Sequence, residues 1–158
     1  MVALAAISNN LIIGKDGKLP WQSKEDLQFF KETTINGNIV VGGTTFKGLP
    51  FLPNRTIWVM SKTKVQTSLY GSDSKWHSIH NIEQAPADSF LCGGANIYKQ
   101  FLPSCSSLLL TELDFDAEGD TMFPYTKKEI KDMLPNVELI KTIENGTIKR
   151  YYKNNRLI

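Results

Sequence analysis

Apolar residues in this chain fall into short runs, and polar or glycine-rich segments separate them. Residues 3–8, 38–42, 55–61, 76–79, 89–92 and 108–115 are rich in Val, Ile, Leu, Trp and Phe and read as strands. Between them lie helix-like stretches. Residues 23–34 form an amphipathic helix, residues 44–49 a short helical turn ended by Pro50, and residues 95–102 a further helix. Residues 81–85 allow only about one turn before Pro86 stops them. Residues 125–134 also read as helical. Residues 9–22 carry Asn-Asn, Asp-Gly and Leu-Pro breakers and read as one long loop; residues 62–75 are polar and read as a surface loop. Near the end, residues 137–143 and 147–152 flank Glu144-Asn145-Gly146, a hairpin signal in which Asn-Gly supplies positive φ.

Strand–helix alternation predicts an α/β fold, a mostly parallel central sheet with helices on both faces. The closing hairpin adds antiparallel strands at one edge. With 158 residues and no repeat, linker or low-complexity tract, the chain reads as one domain spanning residues 1–158. A net charge of +2, with basic residues scattered, argues against a nucleic-acid binder. No apolar run approaches the roughly 18 residues that span a bilayer. The apolar N-terminus lacks a basic leader region and reads as a buried strand. Cys92 and Cys105 have no metal-ligand spacing and read as free thiols of a reducing compartment, so a cytoplasmic location is expected. His77 and His80 lack a second ligand pair, and no metal site is expected.

Candidate chemistry begins at Asp26. It shares a helical face with Leu27 and Phe30, where a carboxylate is partly desolvated and short of cationic partners. Ser23 and Asp26 also fit a capping box, which by itself would account for the residue. Three strand-to-helix turns offer further chemistry. Gly42-Gly43-Thr44-Thr45 and Gly93-Gly94-Ala95-Asn96 expose backbone N–H groups where a phosphate could approach, and Ser61-Lys62-Thr63 adds hydroxyls and a cation. Each alone is a common turn. Three on one α/β fold suggest a long polyphosphate ligand such as a dinucleotide, although no G-x-G-x-x-G occurs.

Along nearly its full length the chain resembles the dihydrofolate reductases. The match is carried by Ala5-Ala6, Ile13-Gly14, Leu19-Pro20-Trp21, Asp26-Leu27, Phe30-Lys31, Gly42, Thr45-Phe46, Leu52-Pro53, Arg55, Cys92-Gly93-Gly94, Ile97-Tyr98, Thr111, Glu118-Gly119-Asp120-Thr121 and Phe123-Pro124, in that order. The resemblance implies reduction of 7,8-dihydrofolate to tetrahydrofolate by hydride transfer from NADPH, with dihydrofolate and antifolate inhibitors as partners. Asp26, Trp21 and Thr111 would be catalytic. Asp26 would bind the pterin edge and favour protonation at N5, Thr111 would support it, and Trp21 would hold a water. The substrate set would be Leu4, Ala5, Leu27, Phe30, Lys31, Leu49, Leu52, Arg55, Cys92 and Tyr98, with Arg55 meeting the glutamate α-carboxylate. The cofactor set would be Ala6, Ile13, Gly14, Leu19, Gly42, Gly43, Thr44, Thr45, Ser61, Lys62, His80, Gly93, Gly94, Ala95, Asn96 and Ile97. Gly93-Gly94 would be joined by a cis peptide, residues 9–22 would form a loop closing over the nicotinamide, and Asp120 would hold that loop.

The chain departs from the pattern at the adenosine end. Gly43 and Asn96 stand where the family often has basic residues, so Lys62 is the candidate replacement and strict preference for NADPH over NADH does not follow. Two alternatives stay open on sequence: a related pterin or pyrimidine reductase, and an inactive nucleotide-binding scaffold. Asp26 and Arg55 weigh against the first, and Trp21, Asp26 and Thr111 against the second.

Overall fold

A computed structural model describes residues 1–15, 19–48, 53–61 and 76–153. In chain order the strands are β1 (Val2–Ile7), β2 (Ile12–Gly14), β3 (Asn38–Gly42), β4 (Thr56–Met60), β5 (Trp76–Ile79), β6 (Phe90–Leu91), β7 (Ser107–Leu113), β8 (Thr121–Met122), β9 (Asn136–Ile143) and β10 (Gly146–Tyr152). The helices are α1 (Lys24–Thr34), α2 (Gly43–Gly48), α3 (Ala95–Phe101) and α4 (Lys127–Met133). Eight strands form one sheet in the order β5-β4-β3-β6-β1-β7-β10-β9. Pairing is parallel from β5 to β7, and β10 and β9 join antiparallel.

Burial explains the sheet. On β3 the side chains of Ile39 and Val41 join Phe46, Ile57 and Val59 in one apolar cluster. Val40, between them, joins Leu91, Ile97, Leu108, Ile130 and Leu134 in another. Successive strand residues point to opposite faces, so a strand buried both ways needs cover on both faces. A third cluster, Leu113, Ile143 and Ile148 with Trp21 and Phe29, seats the start of α1 on the β7–β10 side.

Local signals hold at the helix ends. The Ser23 hydroxyl caps α1 by accepting the Asp26 N–H at 3.2 Å. Thr126 and Glu129 form a reciprocal capping box on α4, which therefore starts two residues later than residue 125. Residues 82–84 make a single 3₁₀ turn before Pro86. Asn145 takes φ 61° in the hairpin.

One expectation needs correction. Residues 9–22 are not wholly loop, because Ile12–Gly14 pairs antiparallel with Thr121–Met122 in a separate two-stranded ribbon. Three residues show no readable alternation, and the partner strand lies more than a hundred residues away. The surface-loop reading of residues 62–75 lies outside the described residues.

Candidate active site

A cavity of about 1090 Å³ runs across the carboxyl ends of the parallel strands, where open α/β sheets place their ligands. Its walls come from Leu4, Ala5 and Ala6 on β1, Gly42 closing β3, Met60 and Ser61 closing β4, and Cys92 to Gly94 after β6. The start of α1 contributes Asp26, Leu27, Phe29 and Phe30.

Asp26 sits in the first turn of α1, its backbone N–H taken by Ser23 and its carboxylate aimed at β7. There the Thr111 hydroxyl donates to Oδ1 over 2.6 Å. Burial raises the Asp26 pKa above the ordinary carboxylate value, and the Thr111 hydrogen bond only partly opposes that shift. The capping reading is thus half right. Ser23 does cap the helix, but the carboxylate is engaged across the fold. No described lysine or arginine forms an ion pair with it.

Trp21 stands beside Asp26 on the cavity wall, its ring edge-on to Phe115. Its Nε1–H is buried and has no hydrogen-bond partner among the described residues. A buried donor of this kind calls for an acceptor from a ligand or water.

The cofactor side is built on close approach. Gly93 and Gly94 are joined by a cis peptide, with Gly93 at φ 113°. A Cβ on Gly94 would lie 3.0 Å from Thr45 Oγ1, and one on Gly93 would lie 3.4 Å from Tyr98 Oη. Only glycine leaves the slot open there. Tyr98 itself is fixed, its hydroxyl donating to the Leu4 carbonyl. Burial pushes the Cys92 and Tyr98 pKa values up, so both are neutral groups in this wall.

Of the residues singled out from sequence, the cavity gathers Leu4, Ala5, Ala6, Ile13, Gly14, Leu19, Trp21, Asp26, Leu27, Phe30, Gly42, Gly43, Thr44, Thr45, Ser61, His80, Cys92, Gly93, Gly94, Ala95, Asn96, Ile97, Tyr98 and Thr111. Lys31 and Arg55 are not among its lining residues. The Lys31 side chain is exposed. Arg55 is buried, with Nε donating to Thr34 Oγ1 at 3.0 Å, Nη1 to the Pro53 carbonyl at 2.7 Å and Nη2 to the Lys31 carbonyl at 2.7 Å. Leu49, Leu52 and Lys62 lie outside the described residues. The cavity also includes Gln22, Phe29, Ile39, Val41, Met60, Gln100 and Leu109, which sequence reasoning passed over, and Thr121, which the resemblance named without assigning it to the site. Phe29 could have been found beside Phe30 on α1. Thr121 reaches the cavity through the β2–β8 pairing.

That ribbon also anchors the segment over the cavity. Asp120 N–H donates to the Gly14 carbonyl at 3.0 Å and Phe123 N–H to the Leu11 carbonyl at 2.8 Å. The Asn10 side chain both donates to and accepts from the backbone of Ala117. The tie expected through Asp120 is therefore in part a backbone ladder, shared along residues 117–123.

The family model for dihydrofolate reductase matches residues 1–142. The chain is similar to the dihydrofolate reductase of Buchnera aphidicola subsp. Acyrthosiphon pisum, 39% identical over 127 residues, or 78% of each chain. It is 30% identical to that of Enterococcus faecium over 158 residues, covering 96% of this chain and 94% of the relative. Among solved structures, the dihydrofolate reductase of Enterococcus faecalis complexed with NADP(H) and RAB-propyl superposes with a TM-score of 0.75 at 28% identity. It covers 98% of this chain and 96% of its own.

Proposed function

The chain belongs to the dihydrofolate reductase family, and we propose that Asp26, Thr111 and Trp21 handle the proton in its reduction of 7,8-dihydrofolate. The enzyme is an oxidoreductase, and its cofactor is NADPH. Bound in the cavity, NADPH supplies a hydride. The residues present suit it. The glycine slot at Gly93-Gly94 leaves room for a flat ring, the cavity has a volume of about 1090 Å³, and Ala6, Ile13 and Gly14 lie along its wall.

The observation that carries the proton-handling role is the Asp26 carboxylate. It is the sole carboxylate among the described lining residues, desolvated and held by Thr111. Ionised, it accepts N–H donors from the pterin edge. Its raised pKa keeps a proton within reach of the ring at pH values where an ordinary carboxylate holds none. The Trp21 Nε1–H is suited to hold a water in the same cavity, since no described residue accepts from it. Leu4, Ala5, Leu27 and Phe30 pack the rings. Arg55 spends three of its five N–H groups on Thr34, Pro53 and Lys31. The remaining two edges suit the substrate's glutamate carboxylate.

The whole of residues 1–158 is read as one domain and one cytoplasmic monomer. Cys92 and Cys105 are free thiols, as suits a reducing compartment; no described helix is long and apolar enough to cross a membrane. The test of function is direct. Purified protein should oxidise NADPH only when dihydrofolate is present, and Asp26→Asn should abolish most of that rate while NADPH still binds. NADPH binding with no dihydrofolate-dependent oxidation would overturn the reading.

A further inference from the structure

The first turn of α1 is fastened to the sheet at two neighbouring residues. Asp26 accepts from the Thr111 hydroxyl on β7 at 2.6 Å. Glu25, one residue earlier, accepts the Glu144 N–H at 2.7 Å through Oε1. Glu144 stands in the turn between β9 and β10, 119 residues along the chain from Glu25.

We propose that Glu25 is a positioning residue for Asp26: by gripping the hairpin turn it fixes the rotation of α1 about its own axis, and so the aim of the Asp26 carboxylate. The proposal rests on the proton-handling role of Asp26 given above and adds the residue that sets its geometry. Successive residues of an α-helix project about 100° apart around the axis. The bond to Thr111 alone is a pivot about which the helix can roll. A second bond from the adjacent residue, pointing elsewhere around the axis, removes that freedom. Apolar packing does not supply it. Trp21 and Phe29 seat this end of α1 against Leu113, Ile143 and Ile148, but hydrophobic contact is non-directional.

The turn that Glu25 grips is itself held against β7. The Asn145 carbonyl accepts the Asp114 N–H at 2.8 Å. A Cβ on Gly146 would collide with the Glu112 carbonyl oxygen, so the two backbones lie in close approach. Gly146 and Ile148 are in register with Leu113 and Thr111. Thr111 and the Glu144 N–H are therefore carried by one paired unit of sheet, and α1 is clamped to it at both.

A competing account needs no partner for Glu25. A carboxylate in the first turn of a helix is favoured by the helix dipole through its charge alone. Among the described residues Glu25 forms no ion pair. Its bond to Glu144 is exposed, and exposed contacts of charged side chains contribute little to overall stability. Misplacing a reacting group by about 1 Å, by contrast, costs about 10²-fold in rate. Positioning and stability thus separate in measurement.

The experiment measures kcat and KM for dihydrofolate, the NADPH dissociation constant and Tm. The proteins are wild type, Glu25→Ala, Glu25→Gln, Glu144→Pro and the double variant Glu25→Ala with Glu144→Pro. Glu25→Ala should lose about 10–100-fold in kcat, with NADPH affinity and Tm near wild type. Glu25→Gln keeps the acceptor oxygen without the charge and should restore most of kcat. Glu144→Pro removes the N–H and should reproduce the alanine loss, and the double variant should be no slower than either single one. If proline lowers Tm by disturbing the hairpin, the alanine and glutamine variants decide alone. Wild-type kcat in Glu25→Ala would overturn the proposal. So would a glutamine variant as slow as the alanine one, which would make charge at the helix end the cause. If wild type itself shows no dihydrofolate-dependent oxidation of NADPH, the proton-handling reading fails and this inference with it; an active wild type with unaltered variants sinks this inference alone.

Discussion

Thr111 reaches across 85 residues of chain to donate its hydroxyl to Asp26 over 2.6 Å. The bond ties the first turn of α1 to the strand beside β1, where Thr111 lies in register with Ala6 and Ile148. Thr111 cannot slip, because its neighbour Glu112 is locked on the opposite face. There the Tyr151 hydroxyl donates to Glu112 at 2.9 Å, and Lys127 and Lys149 lie 3.5 and 3.4 Å away. A shift of one residue would turn both side chains to the wrong face.

Asp26→Asn keeps an acceptor for Thr111 but removes the titrating group. Loss of general acid–base help typically costs about 10²–10⁴-fold. Turnover with dihydrofolate should drop by that range near neutral pH and recover in part as pH falls. The same variant should melt higher than wild type at neutral pH. The sign follows from linkage: Asp26's folded pKa is raised, so between its unfolded and folded pKa values the native state binds more protons than the unfolded chain, and stability falls as pH rises through that window. The stabilisation by Asn should vanish below the unfolded carboxylate pKa, about 3.9. Denaturant melts at pH 3 and pH 7.5 check this.

Thr111→Val removes the one interaction that holds the Asp26 pKa down. The pH at which activity declines should move upward, with Thr111→Ser keeping the wild-type profile. The affected bond joins a hydroxyl to a carboxylate, worth about 1.5–3 kcal/mol. A pH–rate profile of kcat/KM for the three proteins decides it. An unmoved profile in the valine variant would detach Thr111 from Asp26's titration.

Arg55→Leu should act twice. It should raise the dissociation constant of dihydrofolate and other glutamate-bearing ligands by roughly 10–150-fold, while ligands without that tail are nearly unaffected. It should also destabilise the fold, because it removes the donor that the Pro53 and Lys31 carbonyls and Thr34 Oγ1 now accept from, leaving Thr34 only its own bond to the Phe30 carbonyl. Arg55→Lys keeps the charge without the planar fork and separates the effects. Equal weakening of both ligand types would leave Arg55 only a structural role.

Gly119→Ala tests the β2–β8 ribbon. A Cβ there would sit 2.4 Å from the Gly14 carbonyl oxygen and 2.5 Å from Ile12 Cγ2, so the backbones must part. Forced overpacking of this kind costs about 1–3 kcal/mol. The expected outcome is weaker NADPH binding and a lower kcat with little change in melting temperature, since the ribbon lies outside the main sheet. Unchanged cofactor affinity would show that the ribbon does not bear on the site.

Much of this protein was legible along the chain itself. The runs at residues 38–42 and 76–79 became β3 and β5 with those bounds, because a buried strand is a local choice of β-branched and aromatic residues. Ser23 announced the start of α1 through capping, which spans only three residues, whereas the Thr126 cap of α4 was not read from the sequence. Asp26 stood out as an unusual residue for its immediate setting, Gly93-Gly94 as one of three strand-to-helix turns, and Trp21 only through the family resemblance. Tertiary structure alone decided which distant groups meet. The resemblance implied that Thr111 supports Asp26 and that residues 118–121 hold the 9–22 segment, but no local pattern points to either meeting, or to the Ser61 carbonyl beside His80. Arg55 reads from sequence as a ligand's partner, yet its first commitments are to Thr34, Pro53 and Lys31. Hydrogen bonds across the fold depend on where whole strands and helices pack, and that is set by the summed burial of the core, which no local pattern encodes.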